Sequence, residues 1–287
     1  MLPSKGAPAP VRWCGLKRPR TTGPSDEETS SMATLGFIGS GNIGTKLARR
    51  AIAAGIDVVL SNSRGPETLA DTVAELGERA RAATPEEAAR AGDWVVVSIP
   101  LAPYRQLPAA ALAGKVVLDT INYYPFRDGD FAELDSGKIT TSELVQRHLV
   151  GAKLIKAFNN INDGHIPALA RPTDAADRSA LPIAGDDPEA KASAAALIDR
   201  LGFDTVDAGP LAESWRFEPE TAAYVVPYFA DTEGLRAAMA KMAEEIRSGR
   251  PFQTRPPADP GAPLSADRLR ALLAETPRVL PADRVMR

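Results

Sequence analysis

The sequence predicts an α/β fold, a Rossmann doubly wound parallel sheet with a small C-terminal α/β extension. Short apolar segments typical of strands alternate with helix-like segments, which favours a parallel sheet covered by helices on both faces. A glycine-rich loop joins the first strand to the first helix, and six strand signals occur before residue 160. Six strands with the glycine loop after the first match the strand order 3-2-1-4-5-6.

The glycine-rich loop, residues 39–44, follows an apolar strand that begins at Thr34. Gly39 permits the tight turn that leaves the strand, and Gly41 lets the backbone approach a pyrophosphate without a Cβ in the way. Gly44 lets the following helix pack close to the sheet. The amino end of that helix directs free N–H groups and a positive dipole towards phosphates. The loop therefore predicts a dinucleotide site.

The second strand, residues 56–60, indicates which dinucleotide is bound. It ends in Ser61-Asn62-Ser63-Arg64, a segment without a carboxylate. NAD sites place an Asp or Glu about 20 residues after the loop, on the ribose 2′-hydroxyl. That carboxylate would repel a 2′-phosphate, whereas the planar guanidinium of Arg64 suits phosphate and stacks on adenine. We therefore expect NADP(H) as the cofactor; the alternative is that Arg64 is a solvated residue at the strand end.

The other elements of the sheet follow in order. Gly65 and Pro66 open a helix that runs to Leu76. Thr84 caps the next helix, and Glu87 completes its capping box. The remaining expected elements are strands at residues 79–83, 94–99, 115–118 and 153–158 and a helix that begins at residue 141.

Beyond the sixth strand a second strand–helix–strand unit is expected. Its elements lie at residues 181–184, 188–201 and 203–206, and helices follow at 233–247 and 265–275. We predict a disordered N-terminal extension (1–31), an NADP-binding Rossmann domain (32–165), a small C-terminal α/β domain (166–248) and a proline-rich C-terminal tail (249–287). We expect this tail to be mobile or to lie on a partner.

Composition excludes several classes of function. The 287 residues, 44% of them hydrophobic, can form one or two cores, and the net charge of −3 favours neither nucleic acid nor a membrane surface as partner. Cys14 is the single cysteine, so neither an internal disulfide nor a cysteine metal cluster is expected. Without a membrane-spanning run or a signal peptide, we expect a cytoplasmic protein. A native start at Met32 is a hypothesis for N-terminal sequencing to test.

Ligands of open α/β sheets lie beyond the carboxyl ends of the strands. Four loops, which begin at residues 98, 119, 158 and 208, are therefore expected around the nicotinamide, and they are apolar and rich in amides. Hydride transfer to a flat acceptor needs mostly stacking, orientation and exclusion of water. Reduction of a carbonyl or an imine usually needs a proton donor as well.

Few titratable side chains are available as donors, and no certain catalytic residue is identified. The candidates are His165 and Lys156. The alternative role of His165 is a hydrogen bond within its loop, and that of Lys156 is an ion pair with Asp119. Tyr123 and Tyr124 are candidates for stacking on a ligand, with loop packing as the alternative. Neither a metal-binding set nor a Ser-His-Asp spacing is found in the sequence.

Several segments together resemble a known family. These segments are GFIGSGNIG, SNSRGPETL, VVSIPL, LDTINYYP, KAFNNI and LPIAGDDPEAK followed by DAGPLAES. Together they look like the NADPH-dependent coenzyme F420 reductases (F420H2:NADP oxidoreductases). The reductase domains of membrane ferric reductases use the same cofactor fold. The resemblance extends from about Ala33 to Tyr228, and it depends mainly on SNSRGPETL together with KAFNN and AGDDPEAK.

The resemblance implies a site with two halves. In the cofactor half, NADP(H) contacts Gly39, Ser40, Gly41, Asn42, Ile43, Ser61, Asn62, Ser63 and Arg64, and the nicotinamide lies near Pro100 and Asn122. In the acceptor half, coenzyme F420 or a similar flavin contacts Tyr123, Asn159, Asn160, Gly209, Pro210 and Leu211. Hydride would pass directly from the nicotinamide C4 to the deazaflavin C5, without a metal. The partners implied are a small-molecule hydride acceptor and further copies of the chain, as a homodimer or larger homo-oligomer.

Two other functions stay open at this point. The first is NADPH-dependent reduction of a small C=N or C=O substrate, as in pyrroline-carboxylate reductases or β-hydroxyacid dehydrogenases. Those families continue into long all-helical domains, whereas the residues after 180 here alternate strand, helix and strand. The second is a non-catalytic NADPH sensor whose long C-terminal tail reports cofactor binding to a partner.

Overall fold

The computed structural model describes residues 32–250 and 253–284 of the chain. The predicted N-terminal extension, with Cys14, lies outside these residues. The described residues contain one eight-stranded sheet. Its strands are β1 (Thr34–Ile38), β2 (Asp57–Ser61), β3 (Ala80–Ala82), β4 (Trp94–Val97), β5 (Val116–Asp119), β6 (Lys153–Lys156), β7 (Ala180–Gly185) and β8 (Asp204–Asp207).

Helices lie between the strands and after the last one. They are α1 (Asn42–Ala53), α2 (Ala70–Leu76), α3 (Pro85–Ala91), α4 (Ala109–Leu112), α5 (Pro125–Asp128), α6 (Ala132–Asp135), α7 (Thr141–His148), α8 (His165–Leu169), α9 (Pro188–Arg200), α10 (Thr232–Arg247) and α11 (Ala266–Glu275). No helix within the described residues is both long and apolar enough to cross a membrane.

The strand order is β3-β2-β1-β4-β5-β6-β7-β8, which confirms the predicted Rossmann order for the first six strands. These six are parallel; Leu35 of β1, for example, lies opposite Val58 of β2 and Trp94 of β4. β7 then pairs antiparallel with β6, with Lys156 opposite Ala184, and β8 is parallel to β7. The carboxyl ends of β7 and β8 therefore lie at the opposite edge of the sheet from those of β1–β6.

Local capping signals place several helices where the sequence predicts them. Thr84 Oγ1 accepts a hydrogen bond from Glu87 N at 3.3 Å, and Glu87 Oε2 accepts one from Thr84 N at 2.9 Å, so a capping box begins α3. Thr140 and Glu143 form the same arrangement at α7. Gly77, with a φ of 85°, ends α2 as predicted.

The sheet separates two apolar layers. On one face, Phe37 of β1 packs in a buried cluster with Leu47 of α1 and Leu197 of α9. On the other face, Val97 of β4 lies in a buried cluster with Val145 of α7. Because both faces are covered by helices, the loops at the carboxyl edge of β1–β6 are carried by a rigid core.

The C-terminal segment, residues 253–284, packs onto its own chain, so the expectation of a mobile or partner-bound tail is wrong for these residues. Leu269 and Leu273 lie on one face of α11, and both are buried beside β7 and β8. Arg284 is buried as well. The domain boundary predicted after residue 165 falls within the single sheet, and the division into domains stays a prediction.

Candidate active site

Three glycines shape the loop between β1 and α1. Gly39 has a φ of 104°, and a Cβ there would lie 2.1 Å from the backbone O of Ser98. A Cβ on Gly44 would lie 2.2 Å from Gly39 O, so packing excludes a side chain at both positions. At Gly41, in contrast, a Cβ would meet no atom within 4 Å. The space in front of the Gly41 backbone is therefore open for a ligand.

The amino end of α1 faces this open space. No side chain among the described residues caps the helix, and its first turn contains no acidic residue. The first N–H groups and the positive end of the helix dipole are therefore available to an anion. Thr45 Oγ1 donates to Ser40 O at 3.1 Å, which ties the glycine loop to the first turn.

A cavity of about 710 Å³ extends from the glycine loop along the ends of β2, β3 and β4. It brings together cofactor residues predicted from three separate segments, which are the glycine loop, the end of β2 and the loop after β4. The residues lining it include Gly39, Ser40, Gly41, Asn62, Ser63, Arg64, Thr84, Pro85, Ser98, Ile99, Pro100 and Gln106.

Arg64 is the charged residue of this cavity predicted to bind a 2′-phosphate. Its side chain is exposed, and its guanidinium makes no hydrogen bond or ion pair with any described residue. Its backbone N–H donates to Asn62 Oδ1 at 2.9 Å, and Asn62 Nδ2 donates to Thr68 Oγ1 at 2.8 Å. This turn orients Arg64 and leaves its charge available. Ser61 differs, because it is buried and donates to Phe37 O at 2.7 Å within the sheet.

A second cavity, of about 370 Å³, adjoins the first and shares Gly41, Ser98, Ile99 and Pro100 with it. Its remaining lining residues come from the ends of β5 and β6, from the start of α1 and from one later segment. They are Asn42, Ile43, Thr120, Asn122, Tyr124, Arg127, Phe158, Asn159, Ile161, Asn162, Asp163, Tyr224 and Val225. Both residues predicted near the nicotinamide, Pro100 and Asn122, line this cavity.

Two asparagines join the loops after β5 and β6. Asn122 Nδ2 donates to Asn159 O at 2.7 Å, and Asn159 Nδ2 donates to Asn122 Oδ1 at 3.1 Å. Asn159 Nδ2 also donates to Phe217 O at 2.9 Å. The preceding residue, Phe158, has a φ of 58°, which is a strained conformation for an aromatic residue. These bonds hold the strained turn in place.

Two tyrosines stand at the same cavity. The hydroxyls of Tyr124 and Tyr224 hydrogen-bond to each other, and the Arg127 guanidinium lies 4.9 Å from the Tyr124 ring centroid. Burial raises the pKa of Tyr124, and burial together with Tyr124 raises the pKa of Tyr224. Both hydroxyls are therefore neutral and protonated at physiological pH.

A buried charged cluster supports the loop after β5 from behind. Lys156 Nζ lies 3.4 Å from Asp119 Oδ2 and donates to Ile121 O. Asp119 also accepts from Ser142 Oγ at 2.6 Å and from Ile121 N at 2.9 Å. Lys156, a candidate catalytic residue, thus forms an ion pair with Asp119, as expected for its alternative role. It lines neither cavity.

A second buried ion pair lies beside this cluster. Arg284 Nη2 is 3.0 Å from Glu218 Oε2, and Arg284 Nη1 donates to Tyr123 O at 3.3 Å. Burial acts to raise the pKa of Glu218, but Arg284 and then Lys156 outweigh it, and the pKa is lowered overall. Thr141 N donates to Glu218 Oε1 at 3.0 Å. The C-terminal segment thereby braces the loop that carries Asn122 and Tyr124.

His165, the other candidate catalytic residue, is also in a structural position. Its Nε2 lies 3.2 Å from Asp259 Oδ1, with both side chains 2% exposed. Its ring packs against Phe229 with a centroid distance of 4.4 Å. His165 is not among the residues that line the two cavities.

Two of the predicted acceptor residues lie in the core instead of the cavity. Tyr123 is fully buried, and its hydroxyl donates to Asp135 Oδ1 at 2.8 Å. The next residue, Tyr124, lines the cavity in its place, because neighbouring side chains of an extended segment point in opposite directions. Asn160 is also buried, and its Nδ2 donates to Ala223 O at 2.9 Å.

The turn after β8 was predicted to contact the acceptor, and the structure places it elsewhere. β8 runs antiparallel to β1–β6, so its carboxyl end lies at the opposite edge of the sheet. Gly209 O accepts from Gly185 N at 3.0 Å, and Leu211 N donates to Asp186 Oδ1 at 2.9 Å. Gly209, Pro210 and Leu211 line neither cavity.

Sequence reasoning missed several residues of the second cavity, among them Arg127 and Tyr224. Arg127 lies two residues after Pro125, in the short helix α5. Because proline favours the first position of a helix, Pro125 could have indicated this helix from the sequence. Tyr224 lies 100 residues from Tyr124 and has no local signal. Within the described residues, no group of three or more His, Cys, Asp or Glu side chains could hold a metal ion.

Residues 34–123, from β1 to the loop after β5, match the family model for NADP oxidoreductases that are coenzyme F420-dependent. The chain belongs to this family. It is therefore an oxidoreductase of a family with an NADP-binding Rossmann fold, and the match includes the glycine loop, Arg64, Pro100 and Asn122.

Three individual proteins are similar to this chain over about two thirds of its length. A hypothetical protein from Sinorhizobium meliloti, SMa0349, is 30% identical with a TM-score of 0.59, over 68% of this chain and 95% of its own. A protein from Arthrobacter sp. FB24, provisionally described as an F420-dependent NADP reductase, is 25% identical with a TM-score of 0.54, over 64% of this chain and 87% of its own. Metalloreductase STEAP3 of Rattus norvegicus is 30% identical over 186 residues, 64% of this chain. The chain spans only 35% of the length of that metalloreductase.

Proposed function

We propose that this protein transfers a hydride between NADP(H) and a flat, flavin-like acceptor, with coenzyme F420 as the first candidate. One observation carries the proposal: a dinucleotide cavity and an amide- and aromatic-lined cavity adjoin at Gly41, Ser98, Ile99 and Pro100. A nicotinamide at this junction is open to both cavities. Bound NADP(H) supplies the hydride donor or acceptor carbon.

The first cavity has the residues that NADP requires. Gly41 leaves room for backbone N–H groups to approach a pyrophosphate, and the uncapped end of α1 favours its negative charge. Arg64 is exposed and has its guanidinium free for a 2′-phosphate. These features support NADP over NAD, because no carboxylate occurs between Ser61 and Arg64.

The second cavity suits a neutral, planar acceptor. Its polar groups are chiefly amides and hydroxyls, and its ionised side chains are Arg127 and Asp163. The apolar residues Ile43, Ile99 and Ile161 also line it. Such a surface orients a flat ring, excludes water and leaves the electron transfer to the two cofactors.

Reduction of a small C=N or C=O substrate remains the second candidate. It is favoured by the hydroxyl pair of Tyr124 and Tyr224, since such a reaction needs a donor near the substrate. The sensor hypothesis loses its main support, because residues 253–284 pack onto their own chain.

The test mixes purified protein with NADPH and, separately, F420, FMN, FAD, a ferric chelate and a set of small imines and ketones. Absorbance at the cofactor bands follows turnover. Rapid oxidation of NADPH with F420, or with a free flavin, is the expected result. Turnover with imines or ketones alone would replace the proposal by the second candidate, and NADPH binding without any turnover would favour the sensor.

We also propose a homo-oligomer, with a homodimer as its simplest form, because the family resemblance implies one. Light scattering on the full chain is expected to give twice the mass of one chain. A single-chain mass at micromolar concentration would contradict it.

A further inference from the structure

The two tyrosine hydroxyls at the second cavity have more donor capacity than the protein uses. Tyr124 and Tyr224 both line the cavity, and their hydroxyls bond to each other. Each hydroxyl carries one proton, and the mutual bond uses one of the two. The remaining contact, from Asn122 Nδ2 to the Tyr224 oxygen at 3.5 Å, brings a further donor and no acceptor. Among the described residues, one O–H of the pair is therefore left without an acceptor, whichever hydroxyl donates to the other.

The backbone next to Tyr224 is strained, and hydrogen bonds fix its conformation. Val225 has a φ of 55°, a rare and strained conformation for a β-branched residue. Asn160 holds both sides of Tyr224, because its Nδ2 donates to Ala223 O at 2.9 Å and its backbone O accepts from Val225 N at 2.9 Å. Strain that is held in this way is typical of functional sites.

The position of Tyr124 is determined from the other side. Arg127 Nη2 donates to Asn122 O at 2.8 Å, and its guanidinium lies over the Tyr124 ring. Tyr124 N donates to Asp128 Oδ2 at 3.0 Å, which fixes the backbone at the start of α5. Two elements that are distant in sequence thus converge on one hydroxyl pair at the cavity.

We propose that this pair donates a hydrogen bond to a carbonyl oxygen of the acceptor that is conjugated to the ring atom receiving the hydride. The inference rests on the proposed function. In the step, a C–H bond of the reduced nicotinamide breaks, and its hydrogen forms a new bond with both electrons to the acceptor atom, which is C5 in a deazaflavin and N5 in a flavin. NADPH becomes NADP⁺, and the acceptor gains one negative charge, part of which lies on the conjugated carbonyl oxygen.

The tyrosine O–H stabilises that developing charge and keeps its own proton, since burial raises the pKa of both hydroxyls. Water then supplies the proton that neutralises the reduced acceptor. The class of acceptor that suits this pair is a conjugated ring with a carbonyl group, as in deazaflavins and flavins, and a ferric chelate does not use it.

The test compares Tyr124→Phe, Tyr224→Phe and the double variant, with NADPH and F420 as reactants. Each single variant keeps one hydroxyl, which is then free to donate, so kcat should fall by less than about tenfold, the value of one neutral hydrogen bond. The double variant has no donor, and its kcat should fall by about 10²-fold or more. NADPH affinity, measured by cofactor fluorescence, should stay unchanged. Tyr104→Phe is the matched control, because Tyr104 is buried and lines neither cavity.

Several outcomes would overturn the inference. One is a single variant as slow as the double variant; another is a double variant as fast as wild type. Equilibrium binding of F420, followed by its fluorescence, separates this inference from the proposed function. If wild type binds F420 without reducing it, the proposed function fails, while weaker F420 binding by the double variant alone would still support the hydrogen bond. If wild type binds neither F420 nor FMN, both fail.

Discussion

The buried pair of Arg284 and Glu218 provides a test of whether the C-terminal segment supports the site. Arg284 Nη2 lies 3.0 Å from Glu218 Oε2, and the two side chains are 2% and 5% exposed. Arg284→Met preserves most of the side-chain length and removes the charge. Glu218 then keeps its hydrogen bond from Thr141 N but loses its nearest cation.

The size of the effect follows from this burial. Removing one partner of a buried ion pair costs about 3–5 kcal/mol, because the other charge stays uncompensated. Lys156 still acts on Glu218, so we expect the lower end, about 3 kcal/mol. For a chain of this size each kcal/mol lowers Tm by about 2–4 °C, which gives a fall of about 6–12 °C.

The pH dependence has a definite sign. In wild type the pKa of Glu218 is lowered, because Arg284 and Lys156 outweigh burial. A carboxyl with a lowered folded pKa contributes stability that is present above its unfolded pKa of about 4.3 and is lost as pH falls through the folded value. Without Arg284, burial dominates and the folded pKa rises, so protonation at lower pH relieves the buried charge. The Tm difference from wild type should therefore shrink as the pH falls from about 7 to about 5.

Thermal unfolding followed by circular dichroism at both pH values measures these differences. The matched control is Arg147→Met, which removes an exposed ion pair to Glu133 and should lower the Tm far less than Arg284→Met does, because solvent screens an exposed pair. The double variant Glu218→Gln with Arg284→Met should recover much of the loss. An Arg284→Met protein that melts within about 2 °C of wild type at pH 7 would refute the reasoning, as would a loss independent of pH.

Two further predictions concern the cofactor cavity. Arg64→Asp should weaken NADPH binding by about 10- to 150-fold, the value of a charge-assisted hydrogen bond, and leave NADH binding nearly unchanged; fluorescence titration checks both, and equal losses would show that Arg64 does not bind the 2′-phosphate. Gly41→Ala should fold with a Tm close to that of wild type, because its Cβ meets no protein atom within 4 Å, yet bind NADPH at least about tenfold more weakly. Gly44→Ala should instead lower Tm, since its Cβ would lie 2.2 Å from Gly39 O. Similar Tm values for the two glycine variants would contradict this assignment of roles.

The cofactor half of the site could be predicted from the sequence because its determinants are local. The glycine loop, the first turn of α1 and the end of β2 are consecutive along residues 39–64, and the strand order brings them together as expected. The prediction that Ser61 contacts the cofactor was wrong. Ser61 is the last residue of β2, and its hydroxyl donates to Phe37 O within the sheet. Side chains alternate between the two faces of a strand, so whether Ser61 faces the core or the cavity depends on where β2 ends.

The position of the predicted acceptor residues could not be derived in the same way. It depends on the direction in which β7 pairs with β6. The sequence signals for β7 and β8 were correct in position, but strand signals do not show whether a new strand runs parallel or antiparallel to its neighbour. The antiparallel pairing of β7 with β6 moves the turn at Gly209 to the far edge of the sheet. The chain then passes through residues 218–225 before it reaches the cavity, and that path is determined by long-range contacts.

Different parts of the molecule carry the two cavities. The residues that line the first cavity lie at strand ends and at the start of a helix, which the core holds rigidly. In the second cavity, Tyr224 lies on a strained segment that is held by Asn160 and braced through Glu218 and Arg284. Substitutions in that segment can change the acceptor cavity without disturbing the glycine loop, because the two are carried by different elements. We therefore expect substitutions in residues 218–225 and in the loop of Tyr124 to change the preference for the acceptor, and substitutions at Arg64 to change the preference for the cofactor.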